Sequence, residues 1–456
     1  MPLRNELFLN QALLPSGWAS DVRISVVDGM IASVVPGATR EAARTVPGIA
    51  LPGLPNLHCH AFQRGMAGLA ERRGPKADSF WTWREVMYRF LAALTPDDLQ
   101  AIAAFAYMEM LESGFTCVGE FHYLHHDIDG QPFADLGEMA ARTTAAARQA
   151  GFGLTLLPAF YAYGGFGAAE PGRGQKRFLN DPQRYSRLLE RCRAIVNEFP
   201  HGKIGVAPHS LRAVTPSELR DVVALQPEGP IHIHAAEQRR EVDECIEHLG
   251  APPVQWLLEN FKVDSHWCLV HCTHMREDET RRLAASGATA GLCPITEANL
   301  GDGIFNAASY LGAGGIFGVG TDSNIQIDAA TELRQLEYSQ RLVHQSRNVL
   351  APSAGESTGR ELYLAALDGG AQALAQPMGA IAPGLRADLV FLDSSHPDLV
   401  GGSEHWLDAF LFVGGRRLIQ SVMAGGEIVV AGGRHSRHDS ISSAYRETIA
   451  RLLQAC

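Results

Sequence analysis

At 456 residues the chain is too long for one small core, so one large domain plus a smaller one is expected. Its 46% hydrophobic and 20% charged residues belong to a globular protein, not to a fibrous or disordered one. A formal net charge of −11 excludes the broad basic face of a non-specific nucleic-acid binder, and no stretch nears the roughly 18 unbroken apolar residues of a membrane span.

The first 17 residues mix Arg4, Glu6 and Asn10 with apolar side chains and lack the core of a signal peptide, so a cytoplasmic protein is expected. The eight cysteines are scattered and form no C-x-x-C pair, which suits reduced thiols. Residues 1–50 read as β. Leu7–Leu14, Val22–Val27 and Met30–Val35 are short apolar or alternating runs, and Asp28-Gly29 is a hairpin signal between the last two.

From about residue 50 the rhythm becomes strand then helix. Ile49–Asn56 reads as a short buried strand entering a turn and leading to Leu57-His58-Cys59-His60. Seven more strand-length apolar runs follow: Thr116–His122, Gly153–Phe160, Ile204–Ser210, Pro230–Glu237, Cys268–Thr273, Thr289–Ile295 and Ile316–Ser323. Helical patterns lie between them, with start signals at Thr95-Pro96-Asp97-Asp98 and Thr215-Pro216-Ser217-Glu218. Eight buried strands alternating with helices predict an α/β protein with a (β/α)8 TIM-type barrel, a doubly wound open sheet being the alternative.

The segment Ala61–Leu94 is long for a connection and rich in aromatics and arginine, as in Phe80-Trp81-Thr82-Trp83-Arg84. It reads as a binding loop, a partner surface or a roof over the barrel. After about residue 380 the pattern is β again, with Ala387–Asp393, Gln420–Ala424 and Ile428–Val430, and a helix closes the chain over about Ser442–Leu453. The expected organisation is therefore a small β-sandwich domain from both termini (1–50 plus 381–440), a catalytic barrel (51–380) and a C-terminal helix (441–456). Gly355-Glu356-Ser357-Thr358-Gly359 matches a nucleophile-elbow pattern but follows no strand, so it is set aside.

His58 and His60 sit one residue apart on an extended segment and therefore face one side. Two imidazoles so placed can serve one cation. The other predicted strands end in Glu120 and His122, in His209 followed by Arg212, in His232 and His234 followed by Glu237, in His271, and in Asp322. In a β/α barrel those ends share one rim, where the active site lies. Each has a bland alternative: His232 as a core group, His122, His125 and His126 as solvated loop residues, and Asp322 as a turn cap.

Pro52-Gly53-Leu54-Pro55-Asn56-Leu57-His58-Cys59-His60, His234-Ala235-Ala236-Glu237, His271, Gly320-Thr321-Asp322-Ser323 and the late Pro383-Gly384-Leu385-Arg386-Ala387-Asp388 resemble the amidohydrolase superfamily over nearly the whole chain. The fourth strand ends in His209-Ser210 and offers no lysine to carboxylate, so the resemblance is to the mononuclear deaminase branch. It implies one divalent metal per subunit, Zn2+ or Fe2+, held by His58, His60, His234 and Asp322. A finer resemblance, to the formimidoylglutamate deiminase family of bacterial histidine degradation, rests on His60-Ala61-Phe62-Gln63-Arg64, Ser79–Glu85, Glu120–Tyr123, His209–Pro216 and Thr296–Gly303. Asn324 departs from it, standing where His is expected.

That resemblance implies hydrolysis of N-formimidoyl-L-glutamate to N-formyl-L-glutamate and ammonia. Asp322 would take the proton of the attacking water, His271 would orient that water, and Glu237 would serve as general acid and base. Gln63 would hold the formimidoyl nitrogen. Arg212 with His209 and Tyr123, and Arg84 from the long loop, would bind the two substrate carboxylates. A homodimer is implied, its 61–94 loop reaching the neighbouring active site. A relative acting on another amidine or an aminated heterocycle, and an inactive barrel used for binding, are the rival readings.

Overall fold

The computed structural model of the protein describes residues 4–74 and 77–455. Four strands come first: β1 (Arg4–Leu14), β2 (Gly17–Val27), β3 (Met30–Val35) and β4 (Arg44–Pro52). Nine follow in the middle of the chain: β5 (Leu54–Cys59), β6 (Phe115–His122), β7 (Gly153–Phe160), β8 (Lys203–Ile204), β9 (Ala207–Pro208), β10 (Ile231–Ala235), β11 (Trp267–His271), β12 (Thr289–Leu292) and β13 (Ile316–Val319). The last are β14 (Leu389–Leu392), β15 (Ile419–Ala424), β16 (Glu427–Ala431) and β17 (Arg434–His435).

The turn between β2 and β3 is the expected Asp28-Gly29, both at positive φ (49° and 79°), as a two-residue hairpin turn of matching twist requires. β4 pairs parallel with β1 and antiparallel with β14, giving the order β17-β16-β15-β14-β4-β1-β2-β3. Both ends of the chain therefore build one sheet. The expected two-layer sandwich is instead one continuous hydrogen-bonded path, because β4 joins the N-terminal meander to the C-terminal strands.

The run expected as one strand, Ile49–Asn56, divides at Gly53. Its N–H donates to the Asp388 carbonyl at 2.9 Å, and a Cβ there would collide with the Thr116 side chain. Residues before the break belong to the terminal sheet, and those after it to the parallel strands.

Those parallel strands form two arcs, β5-β6-β7-β8 with β9 beside β7, and β10-β11-β12-β13. β6 and β7 are buried at every position, as strands covered on both faces are. Isolated parallel bridges join the arcs at both edges: Cys59 to Asp322 on one side, Val206 to Ile231 and Ser210 to His234 on the other. The first seam carries two backbone hydrogen bonds of 3.0 Å, His60 N–H to Asp322 O and Asp322 N–H to His58 O. The expected fourth strand, Ile204–Ser210, is broken into β8 and β9. The run Thr289–Ile295 stops at Leu292, because Pro294 opens the helix Pro294–Leu300.

Helix α1 (Phe80–Leu91) and helix α2 (Pro96–Glu112) follow β5. α2 starts at Thr95 and the helix Pro216–Ala224 at Thr215, as expected, each through a capping box. The C-terminal helix His438–Ala455 packs on α2. Tyr445 stacks on Phe105 with centroids 4.0 Å apart and donates its hydroxyl to the Arg64 carbonyl at 3.1 Å. Ser357 of the set-aside elbow pattern caps the helix Thr358–Leu374 by accepting the Arg360 N–H. No described helix is long and apolar enough to cross a membrane. The described cysteines are all free and buried.

Candidate functional site

The carboxyl ends of the parallel strands surround one pocket. Its wall includes His60, Gln63, Arg84, Tyr123, His209, Arg212, His234, Glu237, His271 and Asp322, and His58 lies beneath it, fully buried. The residues singled out as site residues from the sequence thus come together.

Three imidazoles converge at its floor. His58 Nε2 lies 3.1 Å from His234 Nε2, and Asp322 Oδ1 lies 3.5 Å from His58 Nε2 and 3.3 Å from His60 Nε2. His60 Nδ1 reaches the Phe121 carbonyl at 2.9 Å and His234 Nδ1 the His209 carbonyl at 2.8 Å. A carbonyl only accepts, so each Nδ1 carries the proton and each Nε2 presents a lone pair to the same small space. Burial pushes the His58 imidazolium down to about 3, and burial likewise lowers His60 and His234, so the rings are neutral. Burial pushes the Asp322 carboxyl up, but its contacts with His58 and His60 outweigh that and hold it below the usual carboxylate range. Converging lone pairs beside a carboxylate repel one another unless a cation lies between them. This donor set, with the His60 and His234 rings oriented from behind by carbonyls, suits one divalent metal.

Above the floor sits a chain of ionisable groups. Glu237 Oε1 is 3.8 Å from His271 Nε2, and Glu237 Oε2 is 3.8 Å from Arg212 Nη2. Burial pushes Glu237 up to about 7, against the pull of His271 and Arg212. Burial pulls His271 down, but Glu237, Glu297 and Asp322 outweigh it and push it up to about 10.

The upper wall is cationic. The Nε atoms of Arg84 and Arg212 are buried without a hydrogen-bond partner. Trp81 holds both guanidinium groups: Arg84, Arg212 and Arg240 place their central carbons 4.7, 5.8 and 4.5 Å from its ring centroid. Gln63 donates its amide to the Tyr123 hydroxyl at 2.8 Å and leaves its Oε1 buried without a partner. α1, part of the 61–94 segment, lines the pocket of its own chain.

Several sequence candidates do other work. His232 Nε2 bonds the Ala373 carbonyl at 2.7 Å and is a core group. Glu120 faces away from the pocket, accepting from Ala61 N–H and the Tyr107 hydroxyl at 2.9 Å each. His125 and His126 are buried on carbonyls of Ala159 and Leu179, not solvated. One wall residue, Tyr161, and one residue behind the wall, Glu297, were not singled out from the sequence as site residues. Glu297, whose Oε1 is 3.2 Å from His271 Nδ1, follows the seventh predicted strand, and Tyr161 follows the third. Their signal was the one used elsewhere, a polar side chain just past a strand end.

The chain matches the Amidohydrolase family over residues 49–429 and Formimidoylglutamate deiminase HutF, N-terminal domain, over residues 6–45. It is 48% identical over 450 residues to the formimidoylglutamate deiminase of Pseudomonas aeruginosa, covering 98% of this chain and 99% of that protein. The crystal structure of an amidohydrolase from Brucella melitensis is 51% identical, with a TM-score of 0.94 over 98% of this chain and 100% of that one. A zinc-bound adenosine deaminase from Xanthomonas campestris, 22% identical, has a TM-score of 0.81 over 98% of each chain, a likeness of fold alone.

Proposed function

Since this chain belongs to the amidohydrolase family, we propose that it hydrolyses N-formimidoyl-L-glutamate to N-formyl-L-glutamate and ammonia, as in bacterial histidine degradation. The observation that carries this substrate is a pair of arginines on the pocket wall, Arg84, partly buried, and Arg212, buried, each with a buried Nε that has no hydrogen-bond partner. A substrate with two carboxylates satisfies both; a neutral heterocycle leaves them unpaired.

His58, His60, His234 and Asp322 would hold one divalent cation, zinc or iron. When bound, such a cation brings the pKa of a coordinated water to about 7, making a nucleophile available at neutral pH. The remaining steps fall to the chain itself. Asp322 takes the water proton, and His271 orients the oxygen towards the formimidoyl carbon. Glu237, its carboxyl pushed up to about 7, protonates the imino nitrogen, then takes the hydroxyl proton of the adduct and passes it to the departing nitrogen as ammonia leaves; the proton held by Asp322 restores Glu237. The water oxygen ends as the formyl oxygen, and the C–N bond to the former imino nitrogen breaks. The free Gln63 Oε1 accepts from the formimidoyl N–H. Arg212, with His209 and Tyr123, binds one carboxylate, and Arg84 the other.

The same reading extends to architecture. We take the two arcs as one (β/α)8 barrel over 51–380, supported by the bridges at both seams, with 1–50 plus 381–440 as the small domain and 441–456 as the closing helix. A homodimer belongs to this proposal as well. The test is metal analysis together with ammonia release from N-formimidoyl-L-glutamate, N-formimidoyl-L-aspartate and guanine. Turnover of the first alone supports the reading, and faster turnover of guanine ends it.

A further inference from the structure

Asn324 follows Asp322 by two residues in a left-handed conformation (φ 56°) and is completely buried. A short polar side chain is at home there, and a turn residue needs no further duty. Its amide nevertheless does more than fill a turn. Nδ2 donates to the His60 carbonyl at 3.1 Å and to the Asp322 carbonyl at 3.0 Å. Those carbonyls belong to two ligand residues just past the ends of strands far apart in sequence, β5 and β13. Cys59 Sγ lies 3.4 Å from the same Nδ2, so the amide's two hydrogens span acceptors on both segments.

The amide is itself fixed. The Thr321 hydroxyl donates to Asn324 Oδ1 at 2.7 Å and accepts from Asn56 Nδ2 at 2.8 Å, while Thr321 N–H donates to Asn56 Oδ1 at 3.1 Å. Asn56, Thr321 and Asn324 are all buried, so the network is shielded from competing water. It runs alongside the two backbone bonds of the His58–His60 and Asp322 seam. A side-chain clasp at that point limits how far the two strands can separate, and hence how far Asp322 can move from His58 and His60.

We propose that Asn324 is a positioning residue for the metal site: by clasping the His60 and Asp322 carbonyls it presets the spacing of ligands from two strands and so raises the affinity for a divalent cation. The proposal rests on the metal reading of the site and not on the identity of the substrate. Groups that orient ligands from behind are typically worth 10- to 100-fold in metal affinity. Asn324→Ala removes both donors, and Asn324→Asp keeps the shape but turns an acceptor towards two carbonyls.

The experiment is a zinc titration of the full chain in competition with a chromogenic chelator, for the wild type, both variants and Thr321→Val. Melting curves with and without zinc accompany it. The zinc Kd is expected to rise at least about tenfold in both Asn324 variants and less in Thr321→Val. The zinc-dependent rise in melting temperature is expected to shrink. A purely structural role would lower the zinc-free melting temperature and leave that increment and the Kd unchanged. Zinc Kd values within twofold of the wild type overturn the proposal, and where an Asn324 variant does not fold, Thr321→Val decides alone by the same criterion. A wild type that takes up no zinc overturns the metal reading, and the clasp with it.

Discussion

The Oε1 oxygen of Glu297 lies 3.2 Å from Nδ1 of His271, on the side of the ring opposite Glu237. Both groups are buried, so the carboxylate fixes the ring's orientation and favours its protonated form. Glu297→Gln keeps the volume and removes the charge. We expect kcat to fall about 10- to 100-fold with KM nearly unchanged, a split that steady-state kinetics on N-formimidoyl-L-glutamate reads directly.

Glu237 should separate binding from turnover. Glu237→Gln cannot supply the proton to the imino nitrogen, yet it leaves the imidazole cluster and the Arg84 wall in place. A loss of about 10²- to 10⁴-fold in kcat is expected, with zinc content and KM retained. A variant with ordinary kcat removes Glu237 from the mechanism.

Arg212 should do the opposite. Its guanidinium is buried beside Glu237 and against Phe80 and Trp81, with Nε unpartnered. Arg212→Met keeps much of the packing and deletes the charged donor. KM is expected to rise at least about 30-fold, which corresponds to about 2 kcal/mol, in line with a hydrogen bond to a charged group. Trp81→Leu, which frees both pocket arginines from their ring, is expected to raise KM in the same direction by a smaller factor.

Glu120 makes stability depend on pH. Burial pushes its carboxyl up to about 7, in spite of the Ala61 N–H, Cys59 and Tyr107 donors. The folded state therefore keeps a proton that the unfolded chain releases near pH 4.3. This contribution is complete below about pH 4.3 and is lost as pH rises through about 7. Glu120→Gln is always neutral and escapes that loss. In urea unfolding of the metal-free protein, the variant is expected to gain on the wild type between pH 5 and pH 8 by on the order of 3 kcal/mol. A constant difference across that range sinks the account.

The cluster at the pocket floor was legible because it obeys two simple periodicities. His58 and His60 alternate on one strand, and His234, His271 and Asp322 each end a run of apolar residues. Strand limits were harder to read. Ile295 extends the apolar run of β12, yet Pro294 has already started a helix, and composition does not distinguish a buried strand from a buried helical turn. The first half of β4 escaped because Pro47 and Gly48 interrupt its pattern, and its partner β14 lies near the other end of the chain. Glu297 was passed over although it stands just past a predicted strand, because its value lies in a contact made from the helix Pro294–Leu300 with His271 at the end of β11, a pairing that its position alone does not reveal.

The placement of β4 between β1 and β14 has a consequence for how the protein is made. As the nascent chain leaves the ribosome, one edge of Arg44–Pro52 has no neighbour until Leu389–Leu392 emerges, so hundreds of residues are synthesised while a sticky ribbon waits. A ribosome that stalls before Leu389 leaves that ribbon bare, and such fragments should clump or be degraded rather than accumulate as a free-standing catalytic half.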